Sequence, residues 1–190
     1  IANGFINKAR KQASSNVTAL REAIVDKGIP VLATSSTCTF TLRDEYPHLL
    51  DVDNTGLREH IELATRFLWR KLDSGQTLPL GKLPLKVVYH TPCHMEKMGW
   101  SIYTLDLLRL IPGLELTVLD SRCCGIAGTY GFKRENYPTS QAIGAPLFRQ
   151  IEESGADIVV TDCETCKWQI EMSTSKRCEH PITLLAKALA

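Results

Sequence analysis

Short apolar runs rich in β-branched residues alternate along the chain with longer amphipathic stretches. Four of these runs are typical of strands buried in a sheet: PVLATSS (30–36), LKVVYHT (85–91), LELTVLD (114–120) and DIVVTD (157–162). Apolar residues at helical spacing predict helices at 6–25, 58–73, 98–110, 138–153, 166–174 and 182–189. Since strands that alternate with helices usually pair in parallel, the pattern predicts an α/β fold with a mostly parallel sheet and flanking helices.

Two segments on either side of a linker-like stretch resemble each other. The stretch 75–84 contains two glycines and two prolines, which is typical of a connection between units. GIPVLATSSTCTFTL (28–42) aligns with GADIVVTDCETCKWQI (155–170) when Cys38 is placed on Cys166. In each segment a glycine precedes the strand, and a turn leads to a cysteine. We therefore expect both segments to form a strand, a turn and a helix.

The repeat predicts two related units joined by that linker. Residues 1–74 correspond to a truncated first repeat, and residues 85–190 to a complete cysteine-rich domain. The first repeat has Ser35 where the second has Cys163. Because the sequence does not begin with methionine, we expect a piece of a longer protein whose preceding part contains the head of the first repeat. Cys38 would bind a metal at a first site only together with that part.

The composition is that of an ordinary soluble globular protein. Apolar residues make up 44% of the chain and charged residues 23%, with a formal net charge of +1. Such a balance gives no reason to expect nucleic acid as a partner. No apolar run approaches the roughly 20 residues of a membrane-spanning helix, and the first residues have no apolar signal core. The odd count of 7 cysteines is far below that of disulfide scaffolds and favours a reducing compartment, the cytoplasm.

Five of the cysteines form three groups, each directly after a predicted strand: Cys93, Cys123 with Cys124, and Cys163 with Cys166. The carboxyl ends of parallel strands meet at one edge of a sheet, where ligands collect. We therefore expect these strand-end cysteines at one edge of the sheet, around one pocket, as metal ligands. Soft thiolates suit iron–sulfur clusters or zinc.

The cysteine pattern supports three hypotheses about chemistry. Adjacent cysteines rarely bind one zinc ion together, whereas a multi-iron cluster can use them on different irons. The pair Cys123 and Cys124 therefore favours an iron–sulfur electron-transfer subunit over a zinc-stabilised assembly module. A dithiol redox enzyme that uses Cys163 and Cys166 is the third hypothesis, which the neighbouring cysteines disfavour. Cys178 fits none of these groups and is most simply structural.

Other residues near the cysteines are candidates for supporting roles. Gly125 and Gly128 would let backbone N–H groups approach the ligand sulfurs and raise the reduction potential. His94 is a candidate hydrogen-bond donor to the ligands. His90 and His180 are candidates of the same kind or alternative ligands, although a structural role is more common for each of the three histidines.

The spacing C-x29-CCG-x38-CxxC resembles the cysteine-rich CCG domain found in the B subunit of heterodisulfide reductase and in related redox subunits. The stretches HTPCHMEKMGW, CCGIAGTYGFK, TDCETCKWQIE and HPITLLAKALA are similar to the C-terminal part of the C subunits of anaerobic glycerol-3-phosphate dehydrogenases. This resemblance covers essentially the whole chain, including ATSSTCTFTLRDEYPHLL in the first repeat.

The resemblance implies partners that the residues alone do not identify. A subunit of this kind receives electrons from the flavin-bearing dehydrogenase subunits of the same complex and passes them towards the membrane quinone pool. CCG domains of related reductases hold non-cubane 4Fe-4S clusters, and others are associated with zinc. We therefore expect an iron–sulfur cluster, with zinc as the alternative occupant, in a cytoplasmic protein peripheral to the inner face of the cell membrane.

Overall fold

The computed structural model describes residues 1–189. Its helices are α1 (Ile6–Arg21), α2 (Ser36–Phe40), α3 (Tyr46–Leu50), α4 (Ala64–Asp73), α5 (Cys93–Met98), α6 (Ser101–Arg109), α7 (Tyr137–Glu153), α8 (Glu164–Ser173) and α9 (Pro181–Ala188). Its strands are β1 (Val31–Ala33), β2 (Ile61–Leu63), β3 (Lys86–Tyr89), β4 (Glu115–Val118), β5 (Ile158–Val160) and β6 (Cys178–Glu179). Over residues 1–189, no helix combines the length and the hydropathy that a membrane span requires.

Two parallel sheets confirm the predicted α/β class. The larger sheet has the strand order β4-β3-β5-β6, and the smaller sheet pairs β1 with β2. In the larger sheet Val88 of β3 lies opposite Thr117 of β4 on one side and Val159 of β5 on the other. Helices connect these parallel strands, as their pairing requires. Each of the four predicted strand segments contains an observed strand.

Helices cover both faces of the larger sheet. Successive side chains of a strand point to opposite faces, so β3 and β5 contribute to two separate cores. One core packs against α7 and α8 and includes Val88, Val159, Leu147, Ile151 and Ile170. The other packs against α6 and α9 and includes Val87, Tyr89, Val160, Leu107, Leu108, Leu184 and Leu185. Burial on both faces explains why β3 and β5 occur in continuous apolar runs of the sequence.

The helix predicted at 58–73 is only partly correct. The helix begins at Ala64, and the residues before it form a 3₁₀ turn (Arg58–His60) and the strand β2. All three residues of β2 are buried, and they pair with β1. Burial and pairing with a distant strand therefore override the helical spacing of the apolar residues.

The two segments that resemble each other share the expected order of strand, turn and helix. β1 leads through Ser35 into α2, and β5 leads through Cys163 into α8. Ser35 and Cys163 both precede their helices with extended backbone, at φ −96° and −143°. Cys38 and Cys166 are each the third residue of the helix that follows. The two segments therefore share the order of elements and the positions of these turn and helix residues, while β5 lies one residue earlier than the alignment places it.

The two predicted units contact each other directly. The backbone N–H of Ser36 donates to the carbonyl of Asp162 over 2.9 Å, so the start of α2 meets the end of β5. The residues 76–85 between α4 and β3 contain neither helix nor strand. The division of the chain at 75–84 into two units stays a prediction.

A buried carboxylate ties β2 to α4. Glu62 is 3% exposed. Arg66 Nη1 lies 3.2 Å from its Oε2, and Arg70 binds both carboxylate oxygens. The Arg66 guanidinium also stacks on the ring of Trp100, 4.5 Å from its centroid. The Glu62 cluster therefore connects the first unit to the residue that precedes α6.

Replacing Glu62 with glutamine is expected to lower the free energy of unfolding by about 1–3 kcal/mol, because hydrogen bonds to charged groups contribute about that much. Urea denaturation of the metal-free protein at neutral pH measures the change. Glu22→Gln is the matched control, since Glu22 pairs with Lys27 where both side chains are more than half exposed. We expect no measurable change from that control. If both substitutions lowered the free energy of unfolding equally, burial of the Glu62 ion pairs would not increase their contribution to stability.

Candidate metal centre

The carboxyl ends of three neighbouring strands bring the predicted cysteines to one edge of the larger sheet. Cys93 begins α5, four residues after the last residue of β3. Cys123 and Cys124 follow β4, and Cys163 precedes α8 just after β5. Cys166 lies in the first turn of α8. Because β4, β3 and β5 are parallel neighbours, the three groups meet at the same edge, which confirms the predicted placement.

All five of these cysteines line one cavity of about 670 Å³. The wall opposite the cysteines comes from the first unit, with residues of α1, α2 and α3 such as Ala13, Thr37 and Tyr46. Thr37 Oγ1 lies 3.7 Å from the sulfur of Cys163. The cavity is therefore lined by the five cysteines of residues 85–190 and by residues of 1–74.

The five thiol groups lie close together around this cavity. The sulfurs of Cys124 and Cys166 lie 3.2 Å apart. Cys123 is close enough to Cys93 and Cys124 to change their ionisation, and Cys163 and Cys166 affect each other in the same way. One cavity therefore collects soft donors from three separate segments.

Hydrogen bonds among these thiols lower the pKa of some of them and raise the pKa of others. Those from Cys124 and Cys93 lower the pKa of Cys123 to about 2, and one from Cys166 lowers the pKa of Cys163 to about 5. The partners keep their protons: the hydrogen bond to Cys123 raises the pKa of Cys124 to about 12 and also raises that of Cys93. Binding of a metal by all five cysteines must release the protons that the thiols still carry.

Gly125 supports the Cys-Cys pair through its backbone. Its N–H donates to the sulfur of Cys123 over 3.3 Å. Its carbonyl accepts a hydrogen bond from Ser140 Oγ of α7 over 2.9 Å. Gly128 lines the same cavity. The loop after β4 is therefore held between a ligand sulfur and α7.

His90 lies beside the cysteine sulfurs, although the sequence favoured a structural role for it. It follows β3 directly, is 1% exposed, and has an imidazole nitrogen within 4.8 Å of the sulfurs of Cys124 and Cys166. Burial lowers the pKa of His90 to about 4, so the ring is neutral at neutral pH. Its place at a strand end, three residues before Cys93, is the signal that the sequence offered.

The other histidines and cysteines considered in the sequence analysis have different surroundings. His94 lines the cavity, but its Nδ1 is 3.1 Å from Thr37 Oγ1 and its ring stacks on Phe40. His180 caps α9 by accepting from the backbone N–H of Ile182. Cys38 is exposed on α2, and Cys178 is buried on β6. Of the histidines, His90 is therefore the one that faces the cysteine sulfurs.

The donor set fits an iron–sulfur cluster. Thiolates are the soft ligands that such clusters take, and a cluster of several irons can use neighbouring thiolates on different atoms. The backbone N–H of Gly125 and the hydroxyl of Thr37 are hydrogen-bond donors beside ligand sulfurs. Zinc also suits sulfur and imidazole, so the donor types alone leave both metals open.

Comparisons with known proteins match the cysteine-bearing region and the rest of the chain. Residues 87–171 match the CCG cysteine-rich domain family. The whole chain is 84% identical to the C subunit of anaerobic glycerol-3-phosphate dehydrogenase from Escherichia coli, of which it covers 48%. It is 30% identical over 174 residues to the lactate utilization protein A of Bacillus velezensis, which is 85% of this chain and 68% of that protein.

These matches extend over both predicted units. The chain spans about half the length of the glycerol-3-phosphate dehydrogenase subunits it matches. An uncharacterized iron–sulfur protein of Methanocaldococcus jannaschii is 32% identical over 96 residues, which is 50% of this chain and 19% of that protein. The resemblance expected from the cysteine spacing is confirmed. The chain belongs to the cysteine-rich CCG family that includes the C subunit of anaerobic glycerol-3-phosphate dehydrogenase.

Proposed function

We propose that this chain binds an iron–sulfur cluster through Cys93, Cys123, Cys124, Cys163 and Cys166 and works in electron transfer. The observation that carries the proposal is that five cysteines from three strand ends line one cavity at the edge of the sheet, with the sulfurs of Cys124 and Cys166 3.2 Å apart. When bound, such a cluster supplies a carrier that accepts and releases electrons. A non-cubane 4Fe-4S cluster is the type proposed, because adjacent cysteines suit several irons.

The surrounding residues favour a stable, negatively charged centre. Cys124, Cys163 and Cys166 are buried, which keeps water from the ligand bonds. The N–H of Gly125 and the hydroxyl of Thr37 donate towards ligand sulfurs and partly neutralise their charge. The five thiolates hold the metal, and their neighbours tune how readily it takes up an electron.

Relatives that match the whole chain support a proposal about its partners. We propose that the protein is the electron-transfer subunit of an anaerobic sn-glycerol-3-phosphate dehydrogenase complex. It would receive electrons from the flavin-bearing dehydrogenase subunits and pass them towards the membrane quinone pool, in the cytoplasm and peripheral to the inner face of the membrane. The identity of 84% over all 190 residues supports this proposal.

A zinc-stabilised assembly module is the second candidate. The observation that favours it is that single ligand atoms of His90, Cys124 and Cys166 lie within 4.8 Å of one another, a spacing that suits one metal ion. A dithiol enzyme that uses Cys163 and Cys166 is disfavoured, because the sulfur of Cys166 also contacts Cys124. An iron–sulfur cluster and a zinc ion are therefore the two alternatives to test.

Metal analysis of this chain after anaerobic purification tests the proposal. We expect iron and sulfide in about equal amounts and a brown colour, because thiolate-to-iron charge transfer absorbs in the visible range. The absorption should bleach on reduction. In air the colour should fade, and the freed thiolates should form disulfides or bind zinc. Zinc without sulfide in the anaerobic protein would overturn the proposal in favour of the assembly module.

A further inference from the structure

His90 is buried beside the ligand sulfurs with unused hydrogen-bonding capacity. Its ring is 1% exposed, and neither Nδ1 nor Nε2 has a hydrogen-bond partner within residues 1–189. Its backbone N–H donates to the carbonyl of Val160 over 2.9 Å, so the residue is fixed at the junction of β3 and β5. A buried polar group without a partner costs about 1–3 kcal/mol, so its presence calls for a partner.

Two of the proposed ligand sulfurs lie close to the imidazole and could accept from it. A nitrogen of His90 lies within 4.8 Å of Cys124 and Cys166, whose sulfurs are 3.2 Å apart. These two cysteines are bridged by an S–H hydrogen bond while they are thiols. When both bind metal they lose their protons and become acceptors only. Each thiolate can then accept a further hydrogen bond, and a neutral imidazole carries one N–H to donate.

We propose that His90 donates a hydrogen bond from its ring N–H to the thiolate of Cys124 or Cys166 when the cluster is bound, and that it raises the reduction potential. This inference rests on the proposed iron–sulfur function. The added electron increases the negative charge on the ligand sulfurs, so a donor stabilises the reduced state more than the oxidised state. His90 is thus a positioning residue that tunes the site, and five cysteines remain the ligands.

Three substitutions at His90 separate the effect of losing the N–H donor from the effect of changing the shape of the side chain. His90→Leu removes the donor, whereas His90→Asn and His90→Gln place an amide N–H near the positions of Nδ1 and Nε2. We expect His90→Leu to make reduction at least about tenfold less favourable, which is about 59 mV for one electron. One of the two amide variants should recover more than half of that shift. The exposed His60→Leu is the matched control and should leave the potential unchanged.

The measurement is a spectroelectrochemical titration of each variant, made only after its iron and sulfide contents match those of the unsubstituted protein. The metal-free forms are compared by urea denaturation. His90→Leu should unfold at the same or a higher urea concentration, because it removes two unpartnered polar atoms from the interior. A merely structural histidine would give the opposite result, with lower stability and an unchanged potential.

The outcomes distinguish this inference from the proposed function. If the unsubstituted chain binds no iron and sulfide, the proposed function fails before any potential is measured. If it binds them and His90→Leu has an unchanged potential, the inference alone is overturned. Strong nitrogen hyperfine coupling in the reduced protein, lost in His90→Leu, would show direct ligation to iron and would also overturn the hydrogen-bond proposal.

Discussion

Replacing Cys124 with serine is expected to abolish cluster binding while the protein stays folded. Cys124 lines the cavity, its sulfur lies 3.2 Å from that of Cys166, and it is 3% exposed. Serine offers a hard oxygen on a shorter bond, which is a poor substitute for a thiolate on iron. Retained iron should fall by at least about tenfold, since even loss of an outer partner of a metal ligand costs about 10–100-fold.

The fold should survive because the apolar cores of the larger sheet consist mainly of aliphatic side chains from β3, β5 and four helices. Iron and sulfide analysis together with circular dichroism measures both effects. Cys178→Ser is the control, since Cys178 is equally buried but lies on β6, outside the cavity. It should keep its iron and lose about 1–3 kcal/mol of stability, as expected for a polar group introduced into a core. If Cys124→Ser unfolds the protein, or keeps its iron, the assigned role of the sulfur is wrong.

The sheet was predictable because burial on both faces leaves a direct trace in the sequence. β3 and β5 lie under helices on each side, and such strands appear as uninterrupted apolar β-branched runs. The strand β2 left no such trace, since its buried middle residue is Glu62, whose charge is neutralised by Arg66 and Arg70 of α4. Its partner strand β1 is distant in sequence, so local spacing favoured a helix.

The candidate site was predictable to the level of its cysteines and no further. Strand-end positions brought Cys93, Cys123, Cys124, Cys163 and Cys166 together, because parallel strands end at one edge. The neighbours depend on packing between the units. Thr37 reaches Cys163 from the first unit, and no spacing in the sequence indicates that contact. Sequence spacing likewise does not distinguish His90, whose nitrogens face sulfurs, from His94, which contacts Thr37 and Phe40.

Residues 1–74, which the sequence predicts as a first unit, line part of the candidate site. Ser35 occupies the position that corresponds to Cys163, and it is buried at the start of α2. Cys38 corresponds to Cys166 but is exposed. Cys38 is therefore exposed to solvent. Residues of α1, α2 and α3 line the cavity that also contains the five candidate ligands. Ligation by Cys38 at a first site, together with a preceding part of the protein, stays a prediction.

Gly125 is the backbone position on which the Cys-Cys loop depends. Its φ is +85°, in the left-handed region that residues with a Cβ rarely adopt. A Cβ at this position would also overlap the backbone carbonyl oxygen of Ser140. Since Ser140 lies within α7, its carbonyl cannot move aside without disturbing the helix. The same glycine binds the sulfur of Cys123 through its N–H, so strain here reaches a proposed ligand directly.

Replacing Gly125 with alanine is therefore expected to lower the free energy of unfolding by about 2–5 kcal/mol, the sum of about 1–2 for the left-handed backbone and 1–3 for overpacking. The variant should also lose most of its iron, because Cys123 and Cys124 move with the loop. Urea denaturation of the metal-free protein and iron analysis of the anaerobic protein measure the two effects.

Gly155→Ala is the matched control: Gly155 has φ +66° but no neighbour within 4 Å of the added Cβ. It should show the backbone cost alone, about 1–2 kcal/mol, with its iron retained. If the two alanine variants are equally stable, the contact with Ser140 does not hold the loop.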